Sequence, residues 1–256
     1  MIDETKNDIL GNKVFFLYPT QSIQNQIISE LIQQEYEAYV AKDHSRLLRA
    51  LKNYDKSIVY INIDEGMTAP EWEKWISGIS TPLPDIRIGV FSTKTEDGFK
   101  EKYLNMKSVT CGFIHLKVDM SNSIDGILKT LEEMNIKGRR KYLRASAERD
   151  TKATMNLPHN EEYINGTIKD ISVVGFSCVL ERDPDMKKNT LCSNIQIRLQ
   201  STLLKVDAIV LGSRDNGGEK MYVMLFAQRT DPETRVKIRK YIQQNLQAIM
   251  DNEINL

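Results

Sequence analysis

The sequence predicts an α/β domain over residues 1–135 and a mainly β domain over residues 136–256, an antiparallel barrel ending in a helix. Three observations predict it. The first 135 residues alternate strand-like and helix-like segments, the pattern of a parallel sheet flanked by helices. The chain changes character near Asn135, where it turns basic. Beyond that point it breaks into short runs of alternating polarity separated by turn residues, as small barrels and sandwiches do. A chain of 256 residues has room for two such domains.

In the first half, residues 13–18 are apolar and aromatic, which suits a strand buried on both faces. Pro19 and Thr20 end it. Ser22 is placed to cap a helix carrying Ile23, Ile27, Ile28 and Leu31 on one face. Residues 36–40 read as a second strand, and residues 44–54 as a helix with Leu47, Leu48 and Leu51 inward. Residues 57–63 form the clearest strand of this half. Pro70 stands where a first helical turn tolerates it, ahead of Trp72, Trp75 and Ile76. The two tryptophans read as core rather than as a ligand platform. Residues 86–91 and 112–118 supply two more strands, with a helix over 98–106 between them. A last helix over residues 123–134 places Ile124, Ile127, Leu128 and Leu131 on one stripe, completing five βα units.

In the second half, the strand candidates are residues 162–169, 176–180, 194–200, 204–211 and 221–226. Ile195, Ile197 and Leu199 alternate with polar residues, as a half-buried antiparallel strand should. Asn216-Gly217-Gly218 is a hairpin signal. Asp231 can cap the final helix and Pro232 fits its first turn, leaving Ile238, Ile242, Leu246 and Ile249 on one face.

Composition narrows the function classes. Lys and Arg number 35 and so do Asp and Glu, so no global charge draws the chain to nucleic acid or anionic lipid. Cys111, Cys178 and Cys192 lack metal-ligand spacing and suggest reduced thiols in a reducing compartment. No apolar run approaches the ~20 residues of a membrane span. The acidic N-terminus does not read as a secretory signal, and a cytoplasmic location is expected by elimination. His44, His115 and His159 lie in separate segments with no ligand set around them, so no metal is expected. Neither a Gly-rich phosphate loop nor a Gly-x-Ser-x-Gly elbow is present. With no nucleophile placed beside a base, an enzyme is not expected.

The chemistry concentrates elsewhere. Residues 137–152, within a connector of 136–152, carry seven Lys and Arg against two acids. Alone, such a run reads as a solvated linker. Asp170-x-Ser172-x-x-Gly175 follows Arg144 by 26 positions, and alone it reads as an Asx- or Ser-stabilised turn. Arg140-x-x-x-Arg144 and Asp170-x-Ser172-x-x-Gly175 in this order resemble the paired signature of the PilZ family, as do Gly166-Thr-Ile-Lys before the aspartate and the strands near 206–212 and 222–226. The resemblance covers about half the chain. It implies a six-stranded antiparallel barrel, one strand more than the five runs above, and a receptor for cyclic di-GMP, a bacterial second messenger. The implied ligand residues are Arg139, Arg140, Arg144, Asp170, Ser172 and Gly175, with no further cofactor.

The residue types suit that ligand. An arginine's planar fork of donors matches phosphate oxygens or the O6 and N7 acceptors of guanine, and its face stacks on a base. Asp170 can accept from guanine N1 and N2 donors. Ser172 adds a hydroxyl. Gly175 is expected to permit positive φ and a close backbone approach. Arg139 resembles the residue of family members that bind an intercalated ligand pair; a solvent-facing role is the equal alternative. The expected mechanism is a mobile connector that orders on the ligand, changes the interdomain arrangement and signals to a protein partner. An adaptor that no longer binds nucleotide is the alternative.

The N-terminal half resembles a response-regulator receiver domain. Asp64 follows the third strand, Ser92 or Thr93 ends the fourth and Lys117 ends the fifth, where that family places its phosphorylated aspartate, a hydroxyl and a lysine. The first strand, however, is followed by Tyr18-Pro19-Thr20-Gln21, without the carboxylates that would hold Mg²⁺. This implies a degenerate receiver acting as a protein-interaction module, with Asp64 capping a loop.

Overall fold

The computed structural model describes residues 11–117, 119–147 and 150–255. The chain divides into two compact units, residues 1–141 with 249–256, and residues 142–248.

The first unit is a parallel sheet of β1 (Val14–Leu17), β2 (Ala38–Ala41), β3 (Ile58–Asn62), β4 (Arg87–Ser92) and β5 (Phe113–His115), in the order β2-β1-β3-β4-β5. All of β1 and β3 is buried, because helices cover both faces of a parallel sheet. Phe16, Tyr60 and Phe91 form a three-ring cluster, with Phe16 5.5 and 5.9 Å from the other two centroids and those two 5.3 Å apart. The helices are a π-helical stretch (Ile23–Ile28) running into α1 (Ser29–Gln33), then α2 (His44–Leu51), α3 (Ala69–Ile79), α4 (Phe99–Leu104) and α5 (Ser121–Glu133). Ile23, Ile27, Ile28 and Leu31 are buried as expected. Ser22 does not cap that segment; the Thr20 hydroxyl accepts the Ile23 N–H instead, at 3.3 Å. Pro70 sits in the first turn of α3, and Glu71 accepts the Thr68 N–H at 2.8 Å. Trp72 is fully buried and Trp75 half-buried. Val118, expected in the fifth strand, lies outside the described residues.

The second unit contains β6 (Arg144–Ser146), β7 (Thr154–His159), β8 (Glu162–Ser172), β9 (Gly175–Leu180), β10 (Leu191–Leu199), β11 (Thr202–Asn216) and β12 (Glu219–Phe226). Strands pair in the order β8-β7-β10-β11-β12-β9, and β9 returns to β8, so six strands close an antiparallel barrel. Short β6 adds to the free side of the second half of β8. Closure leaves the inward residues Ile164, Ile168, Ile195, Ile197, Val206 and Met224 in one core. Gly217 and Gly218, at φ 69° and 92°, make the two-residue hairpin between β11 and β12.

Two strands were not among the five sequence candidates. β7 contains Pro158, which argues against a strand. Here β7 meets β10 only through residues 154–156, so Pro158 lies where one side of the strand has no neighbour. β6 is too short to show a period. The helix α6 (Pro232–Asn255) starts after Asp231, whose carboxylate accepts the Thr234 N–H, and it buries Ile238 and Ile242. All three cysteines are buried and unpaired; burial pushes the Cys178 thiol up to about 12. Among the described residues, no helix is long and apolar enough to cross a membrane.

Candidate functional site on the barrel

The antiparallel register of β6 on β8 sets the site. Arg144 pairs with Ser172, Ala145 with Ile171 and Ser146 with Asp170. Ala145 and Ile171 point into the core, so Arg144, Ser146, Asp170 and Ser172 share the outer face. On the other side of β8, Asp170 pairs with Ser177 and Ser172 with Gly175 of β9. A sequence separation of 26 positions is thereby reduced to neighbouring strands.

Arg144 Nη1 lies 3.7 Å from Asp170 Oδ1, and both side chains keep solvent contact. The Ser177 hydroxyl donates to the other carboxylate oxygen, Oδ2. Ser177 is buried, so this bond fixes the carboxylate against the barrel wall. Sequence reasoning missed Ser177. Its signal is a serine two positions after Gly175, on the outward register of β9.

Ser172 and Gly175 build the turn beside Asp170, and Gly175 departs from expectation in its φ alone. Ser172 is buried; its hydroxyl donates to the Gly175 carbonyl at 3.1 Å and accepts the Val174 N–H at 3.4 Å. That is the Ser-stabilised turn. Gly175 does not adopt positive φ. It is needed for close approach: a Cβ there would stand 2.2 Å from the Met224 carbonyl oxygen of β12. Arg139 and Arg140 belong to the first unit and are exposed.

In the first unit, Asp64 follows β3 at the C-terminal edge of the sheet. Its Oδ1 accepts the Ser92 hydroxyl at 2.6 Å, and its Oδ2 accepts the Thr93 N–H at 2.6 Å and the Thr93 hydroxyl at 2.7 Å. Burial opposes the charge, but these donors outweigh it and hold Asp64 below the usual carboxylate range. Lys117 is exposed and is not among the donors to Asp64. After β1, Tyr18 is held by the Asn62 amide donating to its carbonyl at 3.0 Å, and by a 3.0 Å bond between its hydroxyl and His44 Nδ1. His115 contacts the Thr93 carbonyl and His159 contacts Asn160. Among the described residues, no group of three or more His, Cys, Asp or Glu converges as metal ligands do.

Residues 138–244 match the family model of the PilZ domain. A search of curated proteins finds no match. Similar solved structures include the PilZ domain, with c-di-GMP, of YcgR from Escherichia coli, at 14% identity and a TM-score of 0.41, covering 46% of this chain and 99% of that one. Against the longer YcgR structure in complex with c-di-GMP, the chain covers 51% of that chain, at 14% identity, a TM-score of 0.40 and 46% of this chain. A response regulator from Thermotoga maritima is similar at 17% identity and a TM-score of 0.40, covering 48% of this chain and 99% of that one.

Proposed function

Residues 138–244 being a PilZ domain, we propose that the chain is a cytoplasmic cyclic di-GMP receptor, not an enzyme, and that it signals to a protein partner. The observation that carries this reading is the Arg144–Asp170 pair on the outer barrel face, inside the family-matched span. Arg144 retains guanidinium donors for a phosphate or for guanine O6 and N7. Asp170, oriented by Ser177, retains lone pairs for the N1 and N2 donors of guanine. Arg139 and Arg140 add two guanidinium groups from the connector. Ser172 and Gly175 contribute by shaping the turn beside Asp170.

The ordering step falls on part of the connector. Arg144–Ser146 already belong to the sheet as β6, Tyr142 and Leu143 pack against the barrel core and Lys137 bridges to Gly11, so the segment on which the ligand acts is residues 138–141. A ligand that favours the ordered form shifts the population toward it, and that shift is the signal. Neither nucleic acid nor membrane insertion enters this mechanism. The alternative, an adaptor without nucleotide, draws support from Ser172, whose hydroxyl is engaged within its own turn.

Isothermal titration with cyclic di-GMP decides between them. Saturable binding is expected, weakened at least about tenfold by either Arg140→Ala or Arg144→Ala, since each removes charge-assisted bonds. Binding that both variants leave unchanged, or no binding to the wild type, defeats the receptor reading. Two ligands per chain would assign Arg139 to the intercalated pair.

A further inference from the structure

The first unit holds the entry to the arginine segment at Lys137. Lys137 forms an antiparallel bridge with Gly11, and the Asn12 N–H donates to the Ile136 carbonyl at 2.8 Å. The Lys137 ammonium lies 4.3 Å from the centroid of the Tyr36 ring. Tyr36 is 3% exposed, so its ring is a fixed platform, while Lys137 itself is exposed. Gly11 adopts φ 78°, and a Cβ there would stand 2.4 Å from the Gly138 nitrogen and 2.6 Å from the Ile136 carbonyl oxygen. Only glycine meets both demands. Gly11, Tyr36 and Lys137 stand in three separate segments, and none belongs to the paired motif.

Resting on the receptor reading, we propose that Gly11 and Tyr36 are positioning residues for cyclic di-GMP: they clasp Lys137 and thereby set the course of the chain through Arg139 and Arg140. The two arginines follow the clasp by two and three positions. The bridge fixes the backbone of Lys137 before any ligand arrives. A residue left unfixed would have to be ordered on binding, at a cost in conformational entropy. The cation–π contact holds the Lys137 side chain on the Tyr36 ring and so keeps its backbone at the bridge. Gly11 allows the two backbones to approach, and any side chain there would push residues 136–138 away. The clasp therefore raises affinity by preorganisation, and its loss weakens binding without removing a ligand contact.

The test is titration of the full chain with cyclic di-GMP. Tyr36→Leu should weaken binding about threefold, the size of an exposed cation–π contact. Tyr36→Phe keeps the ring and should bind as the wild type does. Gly11→Ala should weaken binding about tenfold, the scale of a side chain forced into left-handed backbone. Lys137→Met should also weaken it, and adding Tyr36→Leu to Lys137→Met should cost nothing further, because both break one contact. That lack of additivity separates the clasp from the loss of a positive charge near the phosphates. A merely structural tyrosine would lower stability and leave the affinity of the folded protein unchanged. Wild-type or tighter affinity in Tyr36→Leu or in Gly11→Ala, or full additivity with Lys137→Met, overturns the clasp and leaves the receptor reading standing. Absence of wild-type binding overturns both.

Discussion

Arg144 on β6 and Asp170 on β8 are diagonal neighbours on one face of an antiparallel pair, with their charged atoms 3.7 Å apart. Their side chains are 50% and 30% exposed, so water screens the attraction and the pair contributes at most about 1 kcal/mol to folding. Arg144→Ala should therefore lower unfolding free energy by less than about 1 kcal/mol in urea, while weakening cyclic di-GMP binding at least about tenfold. A large stability loss with intact binding would make the pair structural.

Gly175 makes a backbone demand. A methyl group there would stand 2.2 Å from the Met224 carbonyl oxygen, so the β9–β12 ladder must separate to admit it. Gly175→Ala should cost about 1–3 kcal/mol, read from the urea midpoint. An unshifted midpoint would show that β12 yields freely.

Asp64 links β3 to the end of β4 through three donors. Its folded-state pKa is depressed, so the stability it contributes is present above its unfolded value and is lost as pH falls through the folded one. Asp64→Asn should lower the thermal midpoint at pH 7, and the gap to wild type should shrink as pH falls below about 4. A gap that is constant from pH 7 to pH 3 would contradict the ionised staple.

Lys13 and Glu37 form a buried ion pair on adjacent β1 and β2 ends, and Tyr39 donates its hydroxyl to the same carboxylate. Removing one partner strands the other charge, so Lys13→Met or Glu37→Gln alone should cost about 3–5 kcal/mol. The double variant should lose less than the sum of the two. A double-mutant cycle by chemical denaturation measures this coupling, and additive losses would argue against the pair.

Much of this was readable before any fold was known. Parallel strands buried on both faces need continuous apolar runs, and residues 13–18 and 57–63 are such runs; β1 and β3 lie inside them. The hairpin signal Asn216-Gly217-Gly218 called for positive φ, and Gly217 and Gly218 have it. The less legible elements have local reasons. Pro158 obscured β7 because a proline is tolerated only where a strand lacks a neighbour, and pairing is not a local property. Gly175 suggested a left-handed turn, yet it answers to the backbone of β12, some fifty positions later in the chain.

By itself the sequence determined the two fold classes, because periodicity is a local property; the arginine pair and the Asp170–Gly175 motif stood out through a family resemblance, since each alone reads as a linker or a turn. Only the tertiary structure decided that Ser177 holds Asp170, that the Ser172 hydroxyl bonds within its own turn, and that Gly175 lies against the backbone of β12. Those relations depend on strand register, where a one-residue slip moves every side chain to the opposite face.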